Sequence, residues 1–392
     1  MSARPPRVAV VSDTLDDVNG VALGLRRLAA ACRRGGLPLD LVGAAQARRR
    51  GDPVRVDDDG VVRVPVHVRR SIGLYPEMTW GVPRVGPLAR WLAEARVDLV
   101  QVATPGPMGL GALVAARRLG LPVLAQYHTD VPVYAHLLSG RAALGAVAAR
   151  VVSWFYRQAD LCLAPSAAVE ARLTTLGVPP ARVARVPRGI DLALFHPARR
   201  DRARLARLGL GGGPVVLYLG RLSREKGLPR LLAAWAQVRA ARPDARLLLV
   251  GDGPLAPALD GPGVVRAGMC HGVDLAALVA SADLLAFPSQ TETFGNAVVE
   301  ALASGLPAVV AAGGAAREHV VPGVNGLVVE GEGPAPLAAA IVGLLADPDR
   351  RACMGRAARR LARRHDPDVA ARATFELYRR FMACAPPARV AG

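Results

Sequence analysis

The residues best suited to chemistry fall in two short stretches. The first is Pro288-Ser-Gln-Thr-Glu-Thr-Phe-Gly-Asn-Ala-Val-Val-Glu300. An apolar run precedes it and an Ala/Val-rich run follows, so the pattern predicts a strand ending at Pro288, a polar loop, and a helix starting near Gly295. The backbone N–H groups of Phe294, Gly295 and Asn296 would stand at that helix start, which favours an anion or a hydroxyl-rich ligand. Glu292 falls in the loop and Glu300 on the helix. Two carboxylates so placed can accept hydroxyls from one polyhydroxy ligand. Alternatively, Glu292 caps the helix and Glu300 makes a surface ion pair. The second stretch is Gly220-Arg221-Leu-Ser-Arg-Glu-Lys226-Gly227, directly after a predicted strand. Of the 50 Lys and Arg residues, Lys226 is the one lysine. A planar guanidinium and a compact ammonium at a strand end can neutralise a diphosphate leaving group; the bland alternative is a solvated loop.

Weaker signals lie in the first half. Asp17-Val-Asn19-Gly20 sits between the first strand and first helix, where Gly20 would let backbone approach a phosphate, although a plain strand–helix turn reads the same. Gln126-Tyr-His128-Thr-Asp130 follows a predicted strand, which would aim His128 at the sheet's edge. A lone histidine is more often structural. There is no GxSxG elbow and no Cys/His pairing for nucleophilic catalysis.

The elements that must position these groups alternate. Short apolar runs at 7–12, 40–43, 61–66, 98–102, 123–127, 161–164 and 183–186 read as strands, separated by helical patterns such as 23–34 and 110–119. After a charged helix and a glycine run near 199–213, a second series begins at 215–220, 246–251, 264–267, 284–288, 308–311 and 326–329. This alternation predicts an α/β protein with two doubly wound, Rossmann-like domains facing an interdomain cleft, and the length of 392 residues separately favours two domains. The domain boundaries expected are 1–190, 191–370 and a terminal helix over 371–392.

Composition narrows the classes. The net charge of +18 favours polyanions, but the excess is spread over both halves. With Trp 4, Tyr 6 and Phe 6, stacking platforms for single-stranded nucleic acid are few, so no nucleic-acid partner is expected. No GxGxxG follows a strand, which disfavours a nicotinamide dehydrogenase. No spanning apolar run or signal peptide is evident. The five cysteines are odd in number and widely spaced. Together these predict a reduced, cytoplasmic protein without structural metal.

Taken together, Glu292-x7-Glu300, the Gly220-Arg221…Lys226-Gly227 loop, Val18-Asn-Gly-Val21, Tyr127-His-Thr-Asp130, Pro187-Arg-Gly-Ile190 and Gly268-Met269 resemble the GT4 family of retaining GT-B glycosyltransferases. The resemblance covers roughly 7–380 and is greatest to the GDP-mannose-dependent α-mannosyltransferase and sulfolipid-synthase-like branch. It implies a hexose, best mannose from GDP-mannose, moved to a lipid or glycan hydroxyl, with no cofactor and no metal. The alternatives are a UDP-sugar-dependent glycolipid glycosyltransferase or a GT-B nucleotide-sugar epimerase. By resemblance, the first domain binds acceptor and the second the nucleotide sugar. Arg221 and Lys226 grip the diphosphate. Glu292 and the amides of Phe294, Gly295 and Asn296 meet the sugar, and Glu300 the ribose. Gly20 and the Asn19 loop approach the phosphates, His128 lies beside the sugar, and Arg188 lines the cleft. The terminal helix crosses back to the first domain. Arg48-Arg49-Arg50 and Arg69-Arg70, near Ile72-Gly73-Leu74, are expected to rest on an anionic membrane surface, the inner face of the plasma membrane. One departure stands out: Ala311-Ala312-Gly313-Gly314 replaces a stretch that often carries an acidic or aromatic residue.

Overall fold

The computed structural model describes residues 4–17, 19–45, 53–72, 75–133, 135 and 141–384. Val18, Arg48, Arg49, Arg50, Gly73 and Leu74 lie outside the described residues. The chain divides into two compact units, Met1–Gly189 with Pro367–Gly392, and Ile190–Asp366.

The first unit has strands β1 (Val8–Val11), β2 (Leu39–Ala44), β3 (Arg55–Val56), β4 (Val61–Val64), β5 (Val66–Ile72), β6 (Tyr75–Pro83), β7 (Leu99–Val102), β8 (Val123–Gln126), β9 (Leu161–Ala164) and β10 (Val183–Arg185). Its helices are α1 (Gly20–Arg34), α2 (Val85–Glu94), α3 (Pro107–Arg118), α4 (Ala142–Gln158) and α5 (Ala167–Thr175). Eight strands form one sheet in the order β10-β9-β8-β7-β1-β2-β4-β3. Every pairing is parallel except β3 with β4. Parallel strands covered on both faces need apolar residues at every position. In β1 the four residues are all buried, with Val8 and Val10 in one core and Ala9 and Val11 in the other. The terminal helix over Pro367–Cys384 belongs to this unit and packs on α1. Phe375 and Tyr378 enter the Val8/Val10 core. The Tyr378 hydroxyl donates to Gln101 Oε1, and Gln101 donates to Gln126 Oε1 at 2.9 Å.

The structure adds β3 and the antiparallel hairpin β5–β6 to the expected strands. The hairpin stretch holds Gly73, Pro76, Gly81 and Pro83, which read as turn punctuation. Gly81 is needed for close packing, since a Cβ there would come within 3.0 Å of Val66 and 3.1 Å of Ala44. Arg69, one of the arginines expected at a lipid surface, pairs with Asp16 at 2.9 Å and donates to Thr79 Oγ1 at 3.0 Å.

The second unit is a six-stranded, all-parallel sheet: β11 (Val215–Leu219), β12 (Arg246–Val250), β13 (Val264–Gly268), β14 (Leu284–Phe287), β15 (Ala308–Ala311) and β16 (Gly326–Val329), in the order β13-β12-β11-β14-β15-β16. Helices α6 (Arg202–Arg207), α7 (Leu228–Ala241), α8 (Gly272–Ser281), α9 (Asn296–Ala303), α10 (Pro334–Ala346) and α11 (Pro348–Ala362) surround it, and α12 is the terminal helix Pro367–Cys384. Strand order reverses between β11 and β14, and in the first unit between β1 and β7. Such switch points open a crevice beyond the strand ends. Among the described residues, no helix is long and apolar enough to cross a membrane, and all five cysteines are free.

Candidate active site

At the β11/β14 switch point the two predicted stretches meet. After β11 the chain makes a short helical turn, Arg224–Lys226, then Gly227 opens α7. The turn is fixed from within: Ser223 Oγ lies 2.6 Å from Glu225 Oε1, and Glu225 is buried. After β14 the loop from Pro288 to Gly295 runs against it. Thr291 donates to the Glu225 carbonyl at 3.3 Å. A Cβ on Gly227 would sit 2.7 Å from the Pro288 carbonyl oxygen, so only glycine permits the loops to approach this closely.

The side chains that cross this junction are Lys226 and Glu292. Lys226 Nζ lies 2.6 Å from Glu292 Oε1, with side-chain exposures of 16% and 15%. Ser289 Oγ donates to the same oxygen at 3.0 Å. Glu292 is therefore held by a cation and a hydroxyl. Gly295 does the turning: its φ of +90° is in the left-handed region, and α9 begins at the next residue. Glu300 is buried on α9 rather than standing on its surface. Arg221 heads the same loop; its carbonyl accepts the Tyr218 hydroxyl at 2.8 Å.

A layer behind the loop was not legible beforehand. His319 Nε2 lies 2.7 Å from the Phe294 carbonyl oxygen. The rings of Phe294, His319 and His365 pack edge to face, with centroids 4.6 to 5.6 Å apart. Buried Asn325 donates to the His319 carbonyl at 2.9 Å and accepts from Val321 N at 2.7 Å. The Gly313-Gly314 departure also acquires a reason. Ala315 N donates to the Glu292 carbonyl at 2.9 Å. A Cβ on Gly314, whose φ is +70°, would meet the Gln290 carbonyl oxygen at 2.7 Å. The glycines let β15's loop lie directly against the Glu292 loop.

In the first unit, His128 follows β8 and is buried. Burial, and then the charge of Arg188, hold its pKa well below the usual histidine value, so the ring is neutral at neutral pH. Asp130 is committed to Arg172 through two contacts of 2.9 and 3.1 Å. Arg188 donates to the Gly20 carbonyl at 2.9 Å. Gly24 makes room for it, since a Cβ there would lie 2.3 Å from the Arg188 guanidinium. Asn19 caps α1, its Oδ1 accepting from Val21 N and Ala22 N at 2.9 Å each. At this unit's switch point stands Asp13, which sequence reasoning passed over. It accepts from Thr104 Oγ1 at 2.7 Å and Met108 N at 2.9 Å, tying β1 to the start of α3. Burial raises its pKa.

A family model described as "Glycosyltransferase Family 4" matches residues 18–194, and one described as "Glycosyl transferases group 1" matches 213–347. The chain is 36% identical to a GDP-mannose-dependent alpha-mannosyltransferase of Mycobacterium tuberculosis (strain CDC 1551 / Oshkosh), over 82% of this chain and 83% of the relative. It is 35% identical to the protein of that name in Mycolicibacterium smegmatis, over 90% and 92%. The chain belongs to glycosyltransferase family 4. Sulfoquinovosyl transferase SQD2 of Arabidopsis thaliana is a further relative, 32% identical over 70% of this chain and 55% of its own length. The fold agrees: sucrose-phosphate synthase from Thermosynechococcus elongatus superposes with a TM-score of 0.76 at 24% identity, covering 97% of this chain and 100% of that one. The protein is thus a glycosyltransferase with the GT-B fold, in which the Lys226–Glu292 junction occupies the second unit's switch point.

Proposed function

We propose that this glycosyltransferase moves mannose from GDP-mannose to a hydroxyl of a lipid-carried or glycan acceptor, with retention of configuration and without a metal ion. The observation that carries this reading is the 2.6 Å Lys226–Glu292 contact at the β11/β14 edge. A diphosphate arriving there competes with Glu292 for Lys226, and the released carboxylate can accept sugar hydroxyls. Arg221 and Lys226 then supply the positive charge that the departing diphosphate needs. Glu300 accepts the ribose hydroxyls, and the N–H groups of Phe294, Gly295 and Asn296 stand at the α9 start.

The bond between the anomeric carbon and the diphosphate oxygen breaks with oxocarbenium character. The acceptor oxygen attacks the same face, and its proton passes to the departing phosphate oxygen. In the first unit, neutral His128 suits hydrogen bonding to a sugar hydroxyl, because an uncharged imidazole can both donate and accept. Asn19 acts by capping α1 so that the Gly20 backbone is presented to the phosphates, and Arg188 steadies that turn. The first unit receives the acceptor. The names of the mannosyltransferase relatives support the donor, and those of the phosphatidylinositol monomannoside mannosyltransferases support a glycolipid acceptor, which this reading sets at a membrane surface.

A thermal-shift series with GDP-mannose, UDP-glucose and ADP-glucose tests the donor. GDP-mannose at about 100 times its Kd should stabilise the protein by about 2.7 kcal/mol. Stabilisation by a UDP-sugar alone would move the reading to a UDP-dependent enzyme. Transfer followed by NMR, with and without a chelator, tests the rest. An inverted product overturns retention, chelator-sensitive transfer overturns metal independence, and donor isomerisation without acceptor indicates an epimerase.

A further inference from the structure

Helix α4 is amphipathic in an unusual sense: it has two apolar faces. One buries Gly145, Val152, Phe155 and Tyr156 in the first unit. The other leaves Leu144, Val147, Val151 and Trp154 exposed, at 45, 55, 54 and 48%. Their 3-4-3 spacing puts them on one stripe, within an arc of roughly 80° at 100° per residue. A surface helix normally turns charged residues to water on the side away from its core. Single exposed apolar residues are ordinary, but a contiguous stripe marks a surface that something covers.

Charge identifies what fits. Exposed Arg150 and Arg157 border one edge of the stripe. From Val131 to Ala159 the sequence has no Asp or Glu. Trp154 is the exposed tryptophan; Trp80 and Trp91 are half-buried and Trp235 is buried. An indole on an apolar stripe beside arginines matches the bilayer interface. There the rings sit at headgroup level, apolar side chains enter the acyl boundary, and arginines reach anionic headgroups. A second copy fits less well, because antiparallel self-packing of the stripe would align its cationic edges.

We propose that the Leu144–Val147–Val151–Trp154 face of α4 docks on an anionic lipid bilayer. The inference rests on the membrane part of the functional reading and assigns it a surface, in place of the Arg69 that is engaged with Asp16. Its test needs no transfer reaction. The full chain is sedimented with phosphatidylcholine vesicles and with mixed phosphatidylcholine–phosphatidylglycerol vesicles. Wild type should bind the mixed vesicles with a blue shift of tryptophan emission, and bind the neutral ones weakly. A Val147→Glu/Val151→Glu variant should lose roughly tenfold or more of that binding, with an unchanged unfolding midpoint. Should that variant misfold, Arg150→Gln/Arg157→Gln should weaken binding by roughly fivefold per arginine. Trp154→Phe should bind and lose the blue shift.

Three results overturn the proposal: no preference for anionic vesicles, undiminished binding by the stripe variant, or a dimer that the stripe variant dissociates while vesicles stay unbound. Donor-induced stabilisation measured on the same samples separates the two readings. If it persists while vesicle binding fails, the surface is wrong and the transferase reading stands.

Discussion

Both units reverse strand order beside their first strand, yet they furnish that position differently. At β1/β7 the polar group is Asp13, half-buried and occupied by Thr104 and the Met108 amide. At β11/β14 it is Lys226 facing Glu292, each side chain keeping some exposure. The first carboxylate is spent on holding a strand to a helix. The second is held by a cation for which, on the proposed reading, a diphosphate competes. Shared topology therefore supplies the place, and the loop residues decide whether it becomes a brace or a site.

The largest effect that sharpens this contrast is on turnover. Lys226→Ala and Glu292→Ala should each lower transfer by roughly 10²-fold or more while the protein stays folded, checked by steady-state kinetics and circular dichroism. Lys226→Arg should recover only part of the loss, because a forked guanidinium does not reproduce a compact ammonium. Wild-type turnover in both alanine variants would break the contrast.

Asp13→Ala should do the opposite. It leaves the Met108 N–H and the Thr104 hydroxyl without their carboxylate and should lower stability by about 1–3 kcal/mol. The kcat of the folded fraction should stay within a few-fold of wild type. Chemical denaturation and active-site-normalised kinetics measure both. A large loss of kcat at unchanged stability would make Asp13 part of the site. Gly314→Ala should combine the two outcomes. The new Cβ is strained at φ +70° and meets the Gln290 carbonyl, which costs about 1–3 kcal/mol. Because the adjacent backbone is bonded to Glu292, kcat/KM should fall as well.

These predictions also trace what the sequence could reveal. The strands were legible because a doubly covered parallel strand is apolar throughout, as in Val8–Val11 and Val215–Leu219. Lys226 and Glu292 were legible because each follows a strand end, and a single lysine among arginines is conspicuous. The hairpin β5–β6 was hidden by its own glycines and prolines. His319 and Asn325 were hidden for another reason: they reach the Glu292 loop only when β15 and β16 pack beside β14. That juxtaposition is long-range, and no local pattern carries it. Gly313-Gly314 read as a missing functional side chain, whereas close backbone approach requires its absence. A glycine pair after a strand signals either, and only the neighbouring loop decides.

A further test uses the buried histidine. The unfolded chain protonates His128 near pH 6.5, whereas burial and Arg188 keep the folded ring neutral well below that value. Its folded pKa is depressed, so its contribution to stability is complete above the unfolded pKa. That contribution falls as the pH drops below it, by up to about 1.4 kcal/mol per pH unit. Asp13 has the reverse sign: its folded pKa is raised, so its contribution diminishes as pH rises through the folded value. Comparing unfolding free energies of wild type and His128→Phe between pH 5 and 7.5 isolates the first term. The variant should lose its share of the acid slope, and an identical slope in both proteins would mean that His128 takes up a proton in the folded state.

The smallest effect expected concerns Asn19, whose loop the family resemblance sets at the donor phosphates and whose side chain caps α1. Removing the two bonds to Val21 N and Ala22 N by Asn19→Ala should cost about 1 kcal/mol. Asn19→Asp should restore it, because aspartate caps as well as asparagine and adds a favourable charge at the helix start. If the cap is the whole role, donor-induced stabilisation should be alike in wild type and the aspartate variant, which keeps the cap. If the side chain meets the diphosphate, the aspartate variant should be stable yet bind donor more weakly, because its carboxylate repels the phosphates. The two substitutions move stability and binding in different directions under the two readings, so even this small effect separates a residue that shapes the first unit's loop from one that touches the donor.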